Sequence, residues 1–470
     1  MKGMTLAAVA KACGGIYHGS EAYKDAEVSA ITTDSRQIQP QGMFIAIQGE
    51  RSDGHDFITS CYEKGALCCI SEKGLPGEER PYIQVQSSLQ ALKDIAAFYR
   101  SNLNIKVIGI TGSVGKTSTK ETVAAVLSQK FKVLKTLGNF NNEIGLPLTI
   151  FRLTEEDEVA VLEMGISDFG EMTRLTAIAK PDICIITNIG LCHLENLKSR
   201  DGILKAKTEI FTSMNPEGMV ILNGDDDKLS TIKEVYGKKP VFFGVDNRQE
   251  IYADSIENLG LEGVSCCIHH VKTVNGTESF AVRIPVAGQH MVYNAMAAAA
   301  AGAAMGLIAE QIQKGIESLE TIAGRNHIIK KNGFLIIDDC YNANPVSMKA
   351  SIDVINTAKG RKVCILGDMF ELGADEKKLH YEVGEYLAKT KVDVLLTAGT
   401  LSQSLAQGAR DYGNLHQDGY PCRIETFPTR DDLIVNLPNI LEKGDNILIK
   451  ASHGMEFGAV IEAITSMTGE

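Results

Sequence analysis

Hydrophobic and polar residues follow two different patterns along the chain. Up to about Asn104, short apolar runs such as 43–47 and 67–70 are separated by glycine-rich turns, which predicts a small α/β unit. From Lys106 onward, near-continuous apolar segments alternate with longer helical patterns, as is typical of parallel strands covered on both faces. We predict eight such strands, at 107–110, 159–162, 183–186, 220–222, 334–337, 363–366, 394–396 and 447–449.

Polar residues follow six of these predicted strands. In open parallel sheets, ligands bind beyond the carboxyl ends of the strands. Because the polar ends fall in two sheet-like blocks, we expect two facing halves of an active site. The residues concerned are Thr111, Glu163, Thr187 with Asn188, Asp338 with Asp339, Asp368 after Gly367, and Lys450.

Length and charge limit the classes of protein to consider. The 470 residues allow two to four domains. Lys and Arg number 47 against 59 Asp and Glu, a net charge of −12, and no basic block suits a phosphate backbone, so nucleic acid is not expected as a partner. Eleven cysteines, with no C-x-x-C pair, favour a reducing compartment over a disulfide framework.

One apolar segment, 291–308, is long enough to suggest a membrane span. It consists mostly of alanine and contains Asn294 and two glycines, so we predict a closely packed helix instead. We therefore expect a cytoplasmic protein without stable membrane insertion. We also expect a monomer.

A glycine-rich turn joins the strand at 107–110 to a helical pattern that begins near Thr119. This context is typical of a phosphate-binding loop, in which backbone N–H groups cradle phosphates, Lys116 neutralises them and the Thr117 hydroxyl reaches Mg²⁺. The strict P-loop pattern fails, because position 110 is isoleucine and the first glycine stands at 112. An incidental Gly-Lys-Thr in a turn is the alternative. The predicted loop comprises Gly112, Ser113, Val114, Gly115, Lys116, Thr117 and Ser118.

Lys207 lies on the apolar side of a helix predicted over 202–213, whereas Lys205 lies on its polar side. A buried ammonium group is costly unless it is paired or neutralised. Snorkelling or an ion pair would be the ordinary solution. Alternatively, CO₂ carbamylates Lys207 into an anionic ligand for a second Mg²⁺, and Glu163 and His193, each beyond a predicted strand, complete the metal sites.

Taken together, the ordered motifs resemble the Mur ligases, in which the shifted first glycine is the usual loop variant. In that family, the Asn-rich and Tyr-Asn runs are most similar to ligases that add D-alanyl-D-alanine. The resemblance covers all three domains and rests on Thr33-Asp34-Ser35-Arg36, the run 49–57, the loop 111–118, Gly138-Asn139-Phe140-Asn141-Asn142-Glu143-Ile144-Gly145, Glu163-Met164-Gly165, His193-Leu194-Glu195, Lys205-Ala206-Lys207 and Tyr341-Asn342-Ala343-Asn344-Pro345.

The resemblance implies an α/β fold of three domains. Residues 1–104 would bind the UDP substrate, 105–320 would form a P-loop parallel-sheet ATPase domain, and 321–470 a Rossmann-like domain for D-alanyl-D-alanine. It implies an ATP-dependent amide ligase of peptidoglycan synthesis that joins this dipeptide to UDP-N-acetylmuramoyl-tripeptide through an acyl phosphate. Two Mg²⁺ ions are implied, one held by Thr117 and Glu163, the other by His193 and carbamylated Lys207 with Glu163 nearby.

The remaining site residues follow from family position. Adenine contacts are implied for Asn294, Tyr341 and Asn342, an α-phosphate contact for Arg325 and a ribose contact for Asp339. Substrate contacts are implied for Ser35, Arg36, Arg51, Asn139 and Asn142. After Lys450 the sequence reads Ala-Ser-His, where the family more often has Gly-Ser-Arg, so no residue is assigned to the dipeptide.

Two other functions share most of these features. A different amide ligase of the superfamily, such as a folylpolyglutamate synthetase or a Mur ligase that adds another amino acid, would keep the loop, the metal sites and the lysine. A nucleotide-binding regulator without catalysis would also bind ATP, but it would not require Lys116, Glu163, His193 and Lys207 together.

Overall fold

The chain folds into an α/β structure with three sheets. The computed structural model describes residues 1–50, 52–246, 248–415 and 422–467. Within these residues the sheets contain five, nine and six strands. This confirms the predicted α/β class. In the same residues, no helix is both long and apolar enough to cross a membrane.

The N-terminal sheet is small and mostly parallel. Its strand order is β1-β5-β4-β3-β2, and only β1 runs antiparallel to its neighbour. Phe44 and Cys69 pack with Ile58 and Cys61 into a compact core. The strands are β1 Ile16–His18, β2 Ile31–Thr32, β3 Met43–Ile45, β4 Cys68–Ser71 and β5 Tyr82–Gln84, and the helices are α1 Leu6–Ala12, α2 Ile58–Glu63 and α3 Ser88–Ser101.

The next nine strands and seven helices follow the phosphate-loop region of the chain. The strands are β6 Lys106–Thr111, β7 Val133–Lys135, β8 Val159–Glu163, β9 Ile183–Ile186, β10 Met219–Asn223, β11 Val241–Gly244, β12 Ile251–Asn258, β13 Val264–Thr273 and β14 Gly276–Ile284. The helices are α4 Lys116–Leu127, α5 Gly145–Ile150, α6 Glu171–Ala179, α7 Leu194–Leu197, α8 Arg200–Thr208, α9 Met291–Ala304 and α10 Ala309–Glu317.

The C-terminal sheet has the order β15-β16-β20-β17-β18-β19, and only β15 is antiparallel. Alternate strand residues bury into two separate cores, so helices cover both faces, as expected of a Rossmann-like domain. The strands are β15 His327–Lys331, β16 Phe334–Asp338, β17 Lys362–Gly367, β18 Val394–Ala398, β19 Arg423–Phe427 and β20 Asn446–Lys450; the helices are α11 Pro345–Asn356, α12 Glu376–Ala388, α13 Ser402–Leu415, α14 Arg430–Asn436 and α15 Gly458–Ser466.

Tertiary contacts group the chain into two compact units. The first contains 1–111, 130–185 and 207–220, and the second contains 112–129, 186–206 and 221–470. In the first unit, β8 lies between β6 and β7, all parallel. In the second, α4 packs against α9 and α10. A Cβ at Gly302 of α9 would lie 2.8 Å from Val126 of α4, and a Cβ at Gly315 of α10 would lie 2.4 Å from the same residue. This close packing explains the alanine-rich sequence of α9.

All eight predicted strands are confirmed, but two predicted helix boundaries are wrong. The loop helix begins at Lys116 rather than near Thr119, because Gly115 takes a left-handed conformation and caps the helix there. The helix predicted over 202–213 ends at Thr208 and continues as a 3₁₀ turn. At that turn the Glu209 carboxylate accepts hydrogen bonds from Gly170 N and Thr173 N at the start of α6.

Candidate active site

The phosphate loop, Gly112–Ser118, is built to receive anions. Gly115 has φ 80° and caps α4, so the unpaired N–H groups of the first helical turn face the loop. Lys116 Nζ donates to the carbonyl oxygen of Gly112 at 2.8 Å. The ammonium group thus lies over the loop backbone, where a phosphate could replace the carbonyl as its partner.

Residues that follow β9 fix the shape of this loop. Val114 N donates to Asn188 Oδ1 at 3.0 Å, while Asn188 Nδ2 and Thr187 Oγ1 both donate to Val114 O, at 3.0 and 2.6 Å. A Cβ at Gly112 would lie 1.9 Å from Thr187 Oγ1. The sequence marked Thr187 and Asn188 only as polar residues after a strand. Their role in holding the loop depends on hydrogen bonds across more than 70 residues of sequence.

Arg325 lies beside the loop and contacts two other predicted nucleotide residues. Its Nη2 donates to Thr117 Oγ1 at 3.2 Å, and its guanidinium carbon lies 4.1 Å from the centre of the Tyr341 ring. Arg325 Nε is buried and has no hydrogen-bond partner among the described residues. A planar cation with an unused donor suits a phosphate oxygen.

Asp339 lies in a buried ion pair with Lys450. Lys450 Nζ donates to Asp339 Oδ2 at 2.5 Å, to Asp339 O at 3.3 Å and to Asn342 O at 3.1 Å. Asp339 Oδ2 also accepts from Ser351 Oγ at 2.5 Å, and Asp339 Oδ1 from Asn326 N at 3.2 Å. Burial lowers the pKa of Lys450. Lys450 therefore orders the segment that carries Asp339 and Asn342, a role the sequence did not reveal.

Asn294 is buried in α9 next to the loop helix. Its Oδ1 accepts from Thr119 Oγ1 at 2.9 Å, and a Cβ at Gly115 would lie 3.5 Å from the same oxygen. The structure thus places Asn294 beside the phosphate loop and joins it to α4.

His193 pairs with a carboxylate in the second unit. Its Nδ1 lies 2.7 Å from Glu371 Oε2, and this contact lowers the pKa of Glu371. Because Nδ1 faces the carboxylate, Nε2 is the ring nitrogen left for another ligand. Metal-binding histidines commonly contact a carboxylate in this way.

Glu163, in the first unit, ends β8 as a buried carboxylate. Its Oε1 accepts from Asn141 Nδ2 at 2.8 Å, while its Oε2 is buried without a hydrogen-bond partner in the described part of the chain. Asn142 instead binds the backbone at the start of α5, since its Oδ1 accepts from Gly145 N at 2.8 Å, and Asn139 O accepts from Asn141 N at 2.7 Å. The sequence singled out Asn139 and Asn142, but Asn141 is the residue that contacts Glu163.

The structure confirms that Lys207 is on the inward face of α8. Its side chain is only 1% exposed, beside buried Ile203, Ala206 and Ile210, whereas Lys205 is exposed. A buried amine two residues from an exposed one makes the two lysines a matched pair for experiments.

Two predicted substrate residues of the N-terminal domain, Ser35 and Arg36, lie near the surface. Ser35 O accepts from Lys64 Nζ at 2.9 Å. Arg36 binds Asp34 through two N–H groups, at 2.9 and 2.8 Å, and lowers the pKa of that carboxyl to about 2. Arg51 lies outside the described residues.

Known proteins are similar to nearly the whole chain in sequence and in structure. The UDP-N-acetylmuramoyl-tripeptide–D-alanyl-D-alanine ligase of Bacillus subtilis (strain 168) is 37% identical over 445 residues, 94% of each chain. The crystal structure of MurF from Acinetobacter baumannii has a TM-score of 0.86 at 32% identity and covers 98% of each chain. MurF ligase from Thermotoga maritima in complex with ADP has a TM-score of 0.79 at 28% identity, covering 93% of this chain and 97% of that one.

Sequence models of Mur ligase domains match three successive segments. The model of the Mur ligase family catalytic domain matches residues 27–100, the middle domain 110–302 and the glutamate ligase domain 324–453. With these matches and a relative 37% identical over nearly its full length, the chain belongs to the Mur ligase family.

Proposed function

We propose that this chain is an ATP-dependent ligase that joins D-alanyl-D-alanine to UDP-N-acetylmuramoyl-tripeptide and so makes the pentapeptide precursor of peptidoglycan. The supporting observation is the preformed phosphate loop, whose Thr117 accepts a hydrogen bond from Arg325, in a chain 37% identical to a ligase of that name. The ADP bound to the Thermotoga maritima relative favours the same nucleotide class.

The proposed reaction has two steps. The terminal carboxylate of the tripeptide attacks the γ-phosphorus of ATP, which forms an acyl phosphate and releases ADP. The amine of D-alanyl-D-alanine then attacks the acyl carbon, the C–O bond to phosphate breaks, and a proton leaves the nitrogen. Both steps bring anions together, so positioned cations and N–H donors lower the barrier.

Nucleotide binding is assigned to the second unit. Lys116 neutralises the terminal phosphates and the loop amides surround them. Arg325 is proposed for the α-phosphate, Asp339 for the ribose, and Asn294, Tyr341 and Asn342 for adenine. The full proposed loop set is Gly112, Ser113, Val114, Gly115, Lys116, Thr117 and Ser118.

Metal binding is proposed at hard oxygen and imidazole donors. Glu163 fits this role because one of its buried oxygens has no partner among the described residues. Thr117 and Glu163 would hold one Mg²⁺, and His193, through Nε2, and carbamylated Lys207 the other. When bound, Mg²⁺ would offset negative charge on the phosphates and the carboxylate.

Carbamylation of Lys207 is tested by removing the side chain. In Lys207→Ala, ligation should be lost, and added short carboxylic acids should partly restore it, because a free carboxylate can replace the carbamate. The exposed neighbour gives the control, Lys205→Ala, which should keep wild-type turnover. Wild-type turnover in Lys207→Ala, or loss without any rescue, would count against the carbamate.

The ligase assignment is tested with purified full-length chain. ADP release should require both UDP-muramoyl-tripeptide and D-alanyl-D-alanine, and mass spectrometry should show the pentapeptide. Lys116→Ala should abolish release. Release with a different amino acid or with a folate substrate, but not with this pair, would identify another amide ligase. ATP binding without release under any of these conditions would favour the non-catalytic regulator.

The remaining proposals concern the roles of the domains, the contacts to the muramoyl substrate, the cellular location and the oligomeric state. We assign 1–104 to the UDP substrate, 105–320 to ATP and 321–470 to the incoming dipeptide. Ser35, Arg36, Arg51, Asn139 and Asn142 are proposed to contact the muramoyl substrate. The chain is proposed to act as a cytoplasmic monomer.

A further inference from the structure

One face of the antiparallel strands β12 and β13 carries a group of metal-ligand side chains outside the proposed active-site residues. Asp254, Cys267 and His269 each offer one donor atom, and these three atoms all lie within 4.8 Å of one another. The three donors are a carboxylate oxygen, a sulfur and an imidazole nitrogen, a mixed set that borderline-soft divalent ions prefer.

The strand register explains why these residues meet. Asp254 pairs directly with Cys267, and His269 pairs with Tyr252. Since side chains alternate between faces, Asp254 shares one face with Tyr252, and Cys267 shares it with His269. Intervening Ala253, Cys266 and Ile268 point the other way and are buried. On its other side Cys267 pairs with Ala281, and Cys267 is partly exposed.

Neighbouring residues hold two of the three donors in position. His269 stacks on the Tyr252 ring with centroids 4.7 Å apart, and its Nε2 lies 2.9 Å from Asp254 Oδ1. Ser255 Oγ donates to the same carboxylate oxygen at 3.1 Å. The hydrogen bond from His269 lowers the pKa of Asp254, so this group is a carboxylate at neutral pH.

We propose that Asp254, Cys267 and His269 form a binding site for a divalent transition-metal ion, with Zn²⁺ as the best match and a water molecule as the fourth ligand. Zinc with three protein ligands and one open position is a common arrangement. Binding replaces the Cys267 proton with a metal–sulfur bond and releases that proton to solvent, while the His269 Nε2 proton moves to Nδ1 so that Nε2 can bind the ion.

The distances limit how far the donors must move. With Zn–N and Zn–O lengths of about 2.0–2.1 Å, two tetrahedral ligands stand about 3.3 Å apart. The His269–Asp254 separation of 2.9 Å must therefore lengthen by about 0.4 Å, as the imidazole gives up its hydrogen bond to the carboxylate. Sulfur at about 2.3 Å from the metal lies about 3.6 Å from either partner, so from the limit of 4.8 Å it must approach by at most about 1.2 Å. An ordinary cross-strand ion pair beside an unrelated thiol is the alternative.

Cobalt titration of the full chain, with any histidine tag removed, separates these two cases. Co²⁺ replaces Zn²⁺ in such sites, and a bond to Cys267 gives a thiolate-to-cobalt charge-transfer band, which a Mg²⁺ site made of oxygen and nitrogen donors cannot produce. We expect this band at one equivalent of Co²⁺, displaced by Zn²⁺ and unchanged by saturating MgATP.

Matched variants identify the ligands. Cys267→Ser should remove the band, and His269→Ala should weaken Co²⁺ binding at least about tenfold, a difference of about 1.4 kcal/mol. Cys13→Ser, which removes another partly exposed thiol, should keep the band. Absence of a band in the wild-type chain, its persistence in Cys267→Ser, or its loss in Cys13→Ser would each overturn the proposal. Circular dichroism confirms that each variant is folded.

Discussion

Replacing Lys450 with methionine tests how strongly one buried ion pair orders the segment that carries Asp339 and Asn342. The three protons of the Lys450 ammonium group have three acceptors: Asp339 Oδ2, Asp339 O and Asn342 O. Methionine keeps most of the side-chain volume but removes all three donors. Asp339 would then keep only neutral donors, from Ser351 and Asn326, in a buried position.

The expected loss of stability is large. Removing one partner of a buried pair costs about 3–5 kcal/mol, because the other charge stays buried without compensation. A domain's total stability is about 5–15 kcal/mol, so Lys450→Met should remove at least about a fifth of it. Lys391→Met, at an exposed position, should leave the unfolding midpoint unchanged.

Urea unfolding followed by circular dichroism and tyrosine fluorescence measures this loss, since the chain has no tryptophan. Adding Asp339→Asn to Lys450→Met should recover at least about 1 kcal/mol of the free energy of unfolding, because the double variant no longer buries an unpaired carboxylate. Calorimetric titration should also show weaker ADP binding in the single variant. A Lys450→Met midpoint equal to that of wild type, or no recovery in the double variant, would refute the argument.

Two further predictions concern the loop and pH. Gly112→Ala should abolish ADP binding in calorimetry, because its Cβ would lie 1.9 Å from Thr187 Oγ1 and the backbone there has φ 150°. The control Gly77→Ala, whose Cβ would meet no atom within 4 Å, should bind ADP normally. Normal ADP binding by Gly112→Ala would contradict the proposed loop geometry. Burial lowers the pKa of His380, whose Nε2 accepts a backbone N–H bond at 2.8 Å. Protonation therefore favours the unfolded chain, and the stability contributed by neutral His380 should fall as pH drops below about 6.5. Urea midpoints at pH 5.5 and 7.5 should differ more in wild type than in His380→Gln, and an equal difference would contradict this.

The sequence predicted the buried parallel strands well because their signal is local. All eight runs of apolar residues proved to be strands. By contrast, β12 to β14 were not predicted, since only one of their faces is buried and polar residues such as Asp254 and His269 interrupt each apolar run. Alternation with a period of two was the signal available for them.

The same distinction holds for the site residues: a local pattern could place some of them, but their contacts with residues distant in the sequence could not be predicted. Lys207 could be placed inward because its neighbours on the helix are apolar, and its burial confirms this. The partners of Lys450 and Glu163 lie 111 and 22 residues away, at Asp339 and Asn141. A motif shows that such a residue is unusual, but only the fold shows which atom it contacts.

Cations placed at the phosphate loop explain how a chain with a net charge of −12 can bind a strongly anionic nucleotide. Lys116 and Arg325 lie there, and both are partly buried. Buried charges are screened much less by salt than exposed ones, so a cation inside a pocket acts locally whatever the surface charge is. The acidic surface repels long polyanions, while the phosphate loop still presents N–H groups and Lys116 to a single nucleotide. Substrate affinity should therefore depend less steeply on salt than that of a protein that binds a phosphate backbone through surface lysines.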